Sequence, residues 1–273
     1  MNYKRILNVF IYIFALIGFM FVVGYFAIRL GFTNNSGIID DNDRFLVQPE
    51  EIESGTTTNP VDWNKSPEWQ ALTLALQKDR ELINRVSQEV DIDPRTLVSV
   101  LIVEQLRLFN DDRESFKKFF EPLKILGSQS VFSWGVLGIK RETAIEVENN
   151  LKNPSSPRYL GKEYENMLDF STADTEKERF ERITDQRDHY YSYLYGALFI
   201  KQIEAEWERA GFPINNRPEI IATIYNLGFA RSLPKPDPQV GGAIIPIAGK
   251  NYSFGGMAYD FYHSDELTTE FPR

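Results

Sequence analysis

From residue 6 to residue 28 the chain runs for 23 positions without a charge, closed by Lys4 and Arg5 on one side and Arg29 on the other. At about 1.5 Å per residue this is roughly 35 Å of helix, enough to cross a hydrocarbon core of about 30 Å. A cleaved signal peptide has a shorter apolar core and ends in small residues. Here the run closes on the bulky pair Tyr25-Phe26, so the pattern predicts an uncleaved transmembrane helix over 6–28. Positions 29–65 are rich in Asn, Asp, Gly, Thr and Ser, carry Pro49 and Pro60 and show no apolar periodicity, which predicts a linker. A folded domain is expected over 66–273. Ser66 is a good N-cap, Pro67 suits the first helical position, and Trp69, Leu72, Leu76, Ile83, Val86 and Val90 recur at helical spacing. A second start follows at Asp93-Pro94, and Leu97, Val98, Val100, Leu101, Ile102 and Val103 make that helix apolar on every side, hence buried.

Further helical patterns cover 141–151, 190–210 and 218–227, whereas 232–256 is broken by prolines and glycines and reads as loop or hairpin. Between them, residues 161–190 hold nine acids and five bases with little apolar content. They read as a solvated acidic insertion near 155–190, or exposed helices. The domain is therefore expected to be mostly α. Charge orients the chain. Lys4, Arg5 and the α-amino group outweigh Arg29, which Asp40, Asp41 and Asp43 follow, so residues 1–5 are expected in the cytoplasm and the 245 residues after the span outside it.

Composition then removes classes of chemistry. Without cysteine there are no disulfides, thiolate metal sites or thiol nucleophiles. The two histidines, His189 and His263, are 74 residues apart, so no His-rich metal motif exists and neither metal nor cofactor is expected. A net charge of −9 without a basic cluster argues against nucleic acid as a partner.

The candidate chemistry lies at Glu104, which closes the all-apolar run on one helical line with Leu97, Leu101 and Leu108. Burial disfavours a charged carboxylate and suits a general acid. The plainer reading is that Glu104 edges the apolar stripe and pairs with Arg107 or another base.

Three separated segments bear on that choice. Residues 90–98, Val-Asp-Ile-Asp-Pro-Arg-Thr-Leu-Val, lead to Val103-Glu104-Gln105; Ser133-Trp134-Gly135-Val136-Leu137-Gly138-Ile139-Lys140 precedes Thr143-Ala144; and Ile221-Ala222-Thr223-Ile224-Tyr225-Asn226-Leu227-Gly228 follows later. In this order they resemble the catalytic-glutamate helix, the glycine turn and the Ala-Tyr-Asn-Ala-Gly segment of the lysozyme-like lytic transglycosylases. Tyr195-Gly196-Ala197-Leu198 is similar to the helix that packs behind the family's site. The resemblance spans about 140 residues, from 90 to 228. The chain departs from it at Gln105, where the family usually has Ser, at Lys140, where the turn normally ends in Gln, and in longer gaps between the segments.

The resemblance implies a lysozyme-like domain that cleaves the glycan strands of peptidoglycan, with Glu104 as general acid and then base. It implies that Tyr225 hydrogen-bonds Glu104, that Asn226 faces the glycan cleft, and that Gln105, Ser133, Gly135, Gly138 and Lys140 contribute to the same site. Trp134 and Phe132 are candidates for stacking on sugars. A hydrolysing muramidase would need a second carboxylate, for which Asp111 or Asp112 stands nearest. Gln105 and Lys140 favour a different outcome, an inactive lysozyme-like domain that binds glycan or a partner in an envelope assembly. An enzyme needs Glu104 at the floor of an open cleft, whereas a carboxyl sealed by Lys140 or Arg107 favours the binding domain. If Glu104 is a neutral acid, Glu104→Gln is expected to leave stability unchanged.

Overall fold

The computed structural model describes Gly18, Phe19, Val22, Val23 and residues 62–110, 134–185, 187–247 and 250–273. The chain divides into two compact units, Met1–Asp40 and Asp41–Arg273. In the first, the four described residues are helical, and Phe19, Val22 and Val23 are exposed. The rest of the expected span 6–28 lies outside the described residues, as do 29–61 of the expected linker. No helix among the described residues is long and apolar enough to cross a membrane.

In the second unit, seven α-helices and one hairpin lie among the described residues: α1 Pro67–Val90, α2 Pro94–Asn110, α3 Arg141–Lys152, α4 Thr175–Ile183, α5 Tyr190–Arg209, α6 Pro218–Leu227, β1 Ile244–Ile247, β2 Lys250–Ser253 and α7 Phe254–His263. The fold is mostly α. Helix α1 starts where the pattern puts it, with the Ser66 hydroxyl accepting from Trp69 N at 3.1 Å, and ends at Asp91 in the left-handed region. Asp93 starts α2 by accepting from Thr96 N and Thr96 Oγ1 at 3.0 and 2.8 Å. Helix α2 is the centre of the unit, packed by α1, α5, α6, α7 and β1, and Leu97 to Val103 are buried all round it.

The folded body begins earlier than the pattern suggests. Asp62–Lys65 is a 3₁₀ turn. Trp63 is fully buried with its ring edge-on to Trp69 at 4.7 Å, and Asn64 donates to Glu266 Oε1 at 3.0 Å. Residues 62–65 therefore belong to the fold, not to the linker. Within 232–256 the hairpin is antiparallel, pairing Ile244 with Ser253 and Ile247 with Lys250. The last three residues of that stretch are not loop but open α7, despite the Gly255-Gly256 pair. Gly255 is there for packing. A Cβ on it would lie 2.2 Å from Thr223 Oγ1 and 2.5 Å from Glu219 O, so the glycine lets α7 close onto α6.

One arginine secures the C-terminal end. Arg95 is wholly buried, and all five of its N–H donors meet backbone carbonyls: Nε to Tyr262 O at 2.8 Å, Nη1 to Glu266 O and Phe271 O at 3.0 Å each, Nη2 to Phe261 O at 2.9 Å and Ser264 O at 2.8 Å. Its guanidinium also lies 4.6 Å from the centre of the Phe261 ring. Burial, then the nearby Arg273 charge, draws its pKa below the ordinary arginine value.

The acidic stretch is less solvated than expected. Ile183 and Leu168 join the core, and Arg179 and Arg182 are buried. Arg179 forms a two-pronged pair with Glu148 of α3, both contacts 2.7 Å, while Tyr195 of α5 donates to Glu148 at 2.5 Å. A basic-acidic pattern reads as surface in a sequence. Here Glu148 of α3 meets Arg179 of α4 and the Tyr195 hydroxyl of α5, while Arg182 donates to the Leu168 and Asp169 carbonyls.

Glu204 of α5 is a buried carboxyl beside the α1–α2 turn. Burial first, against the opposing pull of Lys201 and with the added repulsion of Asp93 and Asp91, raises its pKa from 4.5 to about 7. Such a group binds its proton more tightly folded than unfolded, so its contribution is full below about pH 4.5 and is lost as pH rises through about 7. Glu204→Gln should therefore stabilise the protein by on the order of 1–3 kcal/mol at about pH 8 and flatten the fall in melting temperature from about pH 5 upward. Thermal melts across that range check it, and equal slopes for both proteins would refute it.

Candidate active site

The glycine turn that joins the segment before α3 to its first residue is held on every side. Trp134 and Ile139 form an isolated antiparallel bridge, with N–H to O distances of 2.7 and 3.0 Å, and Gly138 N donates to Gly135 O at 3.3 Å. Both glycines are required. Gly135 and Gly138 have φ of +66° and +60°, and a Cβ on Gly138 would fall 1.9 Å from Glu104 Oε1. The Glu104 carboxyl thus rests against the turn, 34 residues away in sequence. Three helices grip the loop between the glycines. Gln105 Nε2 of α2 donates to Val136 O, Val136 N donates to Ser192 Oγ of α5 at 3.0 Å, and Tyr225 of α6 donates to Leu137 O at 2.9 Å. Gly196 of α5 sits against Leu137 from behind.

Glu104, Gln105, Gly135, Gly138 and Tyr225 therefore meet at one place. Their bonding differs from expectation. The Tyr225 hydroxyl goes to Leu137 O and not to Glu104. The ring is nonetheless close enough that burial first, and then the Glu104 charge, push the phenol pKa well up. Asn226 does not offer its carbonyl to a cleft, because Oδ1 accepts from Ala243 N at 2.9 Å and, with Thr223 Oγ1 accepting from Gly241 N at 3.0 Å, holds the segment leading into β1. Trp134 is 3% exposed and edge-on to Phe180 at 5.3 Å, which makes it core and not a sugar platform. Lys140 is exposed at the start of α3 and gives no side-chain cap. Ser133, Phe132, Asp111 and Asp112 lie outside the described residues.

Glu104 itself is 3% exposed. Arg107, one helical turn on, takes both its oxygens, with Nε to Oε2 at 3.1 Å and Nη2 to Oε1 at 2.5 Å. Arg107 is the partner that helical spacing suggested. Ser192 was not anticipated, since a serine near the start of a long apolar helix carries no signal of its own. Among the described residues no group of three His, Cys, Asp or Glu side chains is placed to hold a metal ion.

Gly138→Ala tests how tightly the turn and the carboxyl fit. The substitution adds strain at positive φ and a collision with a buried carboxylate, so stability should fall by roughly 2–3 kcal/mol. Chemical denaturation measures this, and a change under about 0.5 kcal/mol would show that the carboxyl moves aside freely.

No protein family, no characterised protein and no solved structure matches the chain.

Proposed function

We propose that this chain is a membrane-anchored, extracytoplasmic enzyme of lysozyme-like fold that cleaves peptidoglycan glycan strands in the manner of a lytic transglycosylase. The observation that carries the reading is the convergence of the Glu104 carboxyl, the Gly135–Gly138 turn and Tyr225 from three distant parts of the sequence. In the reaction, Glu104 gives its proton to the glycosidic oxygen as the C–O bond breaks. The resulting carboxylate then withdraws the proton of the same sugar's primary hydroxyl, whose oxygen closes onto the anomeric carbon as an anhydro ring, assisted by the acetamido group. No water is consumed and Glu104 ends protonated. The uncharged run 6–28, with Phe19, Val22 and Val23 exposed on helix, supports the anchor.

A second reading has one observation in its favour: the nearly sealed carboxyl paired with Arg107 suits a domain that binds glycan, or a partner in an envelope assembly, without cutting. The test uses the full chain, extracted from membranes with detergent and incubated with purified peptidoglycan. Mass spectrometry should find anhydro-ended muropeptides. Release of reducing-end products would instead indicate a hydrolysing muramidase, and no release at all with retained glycan binding would favour the second reading.

A further inference from the structure

We propose that Ser192 is a positioning residue for the Glu104 carboxyl, acting on it through the glycine turn; this rests on the reading of Glu104 as proton donor. Proton transfer to a leaving oxygen tolerates little error in where the acid stands, since a displacement of about 1 Å can cost about a hundredfold in rate. The place of the carboxyl is set from the turn as well as from α2. Gly138 closes against Oε1, where a Cβ would fall 1.9 Å away, so a shift of the turn is a shift of what the acid rests on.

Three side chains hold the turn, and they are not equivalent. Gln105 follows Glu104 on α2, so its bond to Val136 O ties the turn to the helix that already carries the carboxyl. Tyr225 of α6 donates to Leu137 O, next to Gly138. Ser192 of α5 acts at the other glycine. Its hydroxyl accepts from Val136 N at 3.0 Å, and of the three bonds this one alone is made to an N–H. The same oxygen would stand 2.3 Å from a Cβ on Gly135, and Ser192 is fully buried, so serine and glycine are fitted to each other. One helical turn farther along α5, Gly196 makes room for Leu137, whose Cδ1 would lie 2.2 Å from a Cβ there. Positions 192 and 196 thus back the loop from α5, and of the two only the serine adds a hydrogen bond. Glu104 lies against one glycine of the turn and Ser192 against the other. Without the hydroxyl, Val136 N loses its acceptor and space opens beside Gly135, so the turn relaxes away from the carboxyl.

The experiment compares four full-length chains in detergent on purified peptidoglycan: wild type, Ser192→Ala, Ser192→Cys and Ser192→Thr. Alanine removes the acceptor, cysteine fills the space with a poor one, and threonine keeps the hydroxyl. A misplaced acid slows the chemical step without loosening the hold on substrate. For the alanine and cysteine variants kcat should therefore fall at least about tenfold, with KM within about twofold of wild type. Threonine should recover most of the rate. A serine that merely supports the fold would lower the melting temperature while the folded fraction turned over at the wild-type kcat. Circular dichroism measures that fraction for each variant, and the cysteine variant carries the comparison should the alanine variant not fold. If wild type cleaves and the folded alanine and cysteine variants keep their kcat, or change only in KM, the positioning role is overturned while the cleavage reading stands. A folded threonine variant as slow as alanine overturns it too, because the acceptor would then not be the cause. If wild type releases no muropeptides, the positioning role and the cleavage reading fall together.

Discussion

Arg95→Met should lower the stability of the domain by about 3–5 kcal/mol, a large share of the 5–15 kcal/mol typical of a folded protein. The methionine fills much of the volume but supplies none of the five donors, leaving the carbonyls of Phe261, Tyr262, Ser264, Glu266 and Phe271 without Arg95. The Phe261 carbonyl keeps Ser264 N and Oγ, and those of Tyr262 and Ser264 keep Arg273, so the loss falls chiefly on Glu266 O and Phe271 O, at roughly 1–3 kcal/mol for each buried acceptor left unpaired. Lysine is no substitute, since one ammonium cannot point in five directions. We expect the melting temperature to drop by about 10 °C or more for both variants, and the 261–273 segment to become the first cleaved by protease. A melting curve within about 2 °C of wild type would mean that the clamp contributes little.

Glu104→Gln should abolish glycan cleavage, a loss of about 10² to 10⁴ in rate, because the amide keeps shape and hydrogen bonding but has no proton to give to the sugar oxygen. The effect on stability is the point at which structure changes the sequence-based expectation. A neutral acid exchanged for a neutral amide would be silent. The carboxyl is instead paired with Arg107, whose side chain is 11% exposed, so the amide leaves a nearly buried guanidinium without its countercharge. A cost on the order of 1–3 kcal/mol follows. Muropeptide release by mass spectrometry and a chemical denaturation curve measure the two effects separately. Equal release by wild type and variant would remove Glu104 from the chemistry and move attention to Asp111 or Asp112.

The parts legible in the sequence are those set by local rules. Ser66, Pro67 and Asp93-Pro94 announce helix starts, and the run from Leu97 to Val103 has no polar face, so burial on all sides is the one arrangement open to it. Gly135 and Gly138 mark a tight turn for the same local reason. The partners across space were not legible. Nothing in the pattern of residue 95 tells an exposed arginine from one that collects five carbonyls more than 160 residues away. Arg179 and Arg182 likewise look solvated until Glu148 of α3 is seen beside Arg179 and the Leu168 and Asp169 carbonyls beside Arg182. Tyr225 reached the expected neighbourhood, yet which acceptor its hydroxyl would choose depended on the orientation of one peptide in the turn.

The clustering of Trp63, Trp69, Phe261 and Arg95 also bears on how the domain takes tension. The described chain enters at Asp62, and Trp63 is buried against α1 and α7 at once, so a pull on the preceding segment is received by aromatic packing and passed to α7 and to the N-terminal end of α2. Glu104 stands nine residues farther along α2 than Arg95, about 14 Å at the helical rise. Its surroundings are the turn, α5 and α6, none of which the entering segment grips through Trp63 or Asn64. A pull applied at residue 62 would therefore load one end of the central helix, while the carboxyl, its turn and its arginine stand at the other.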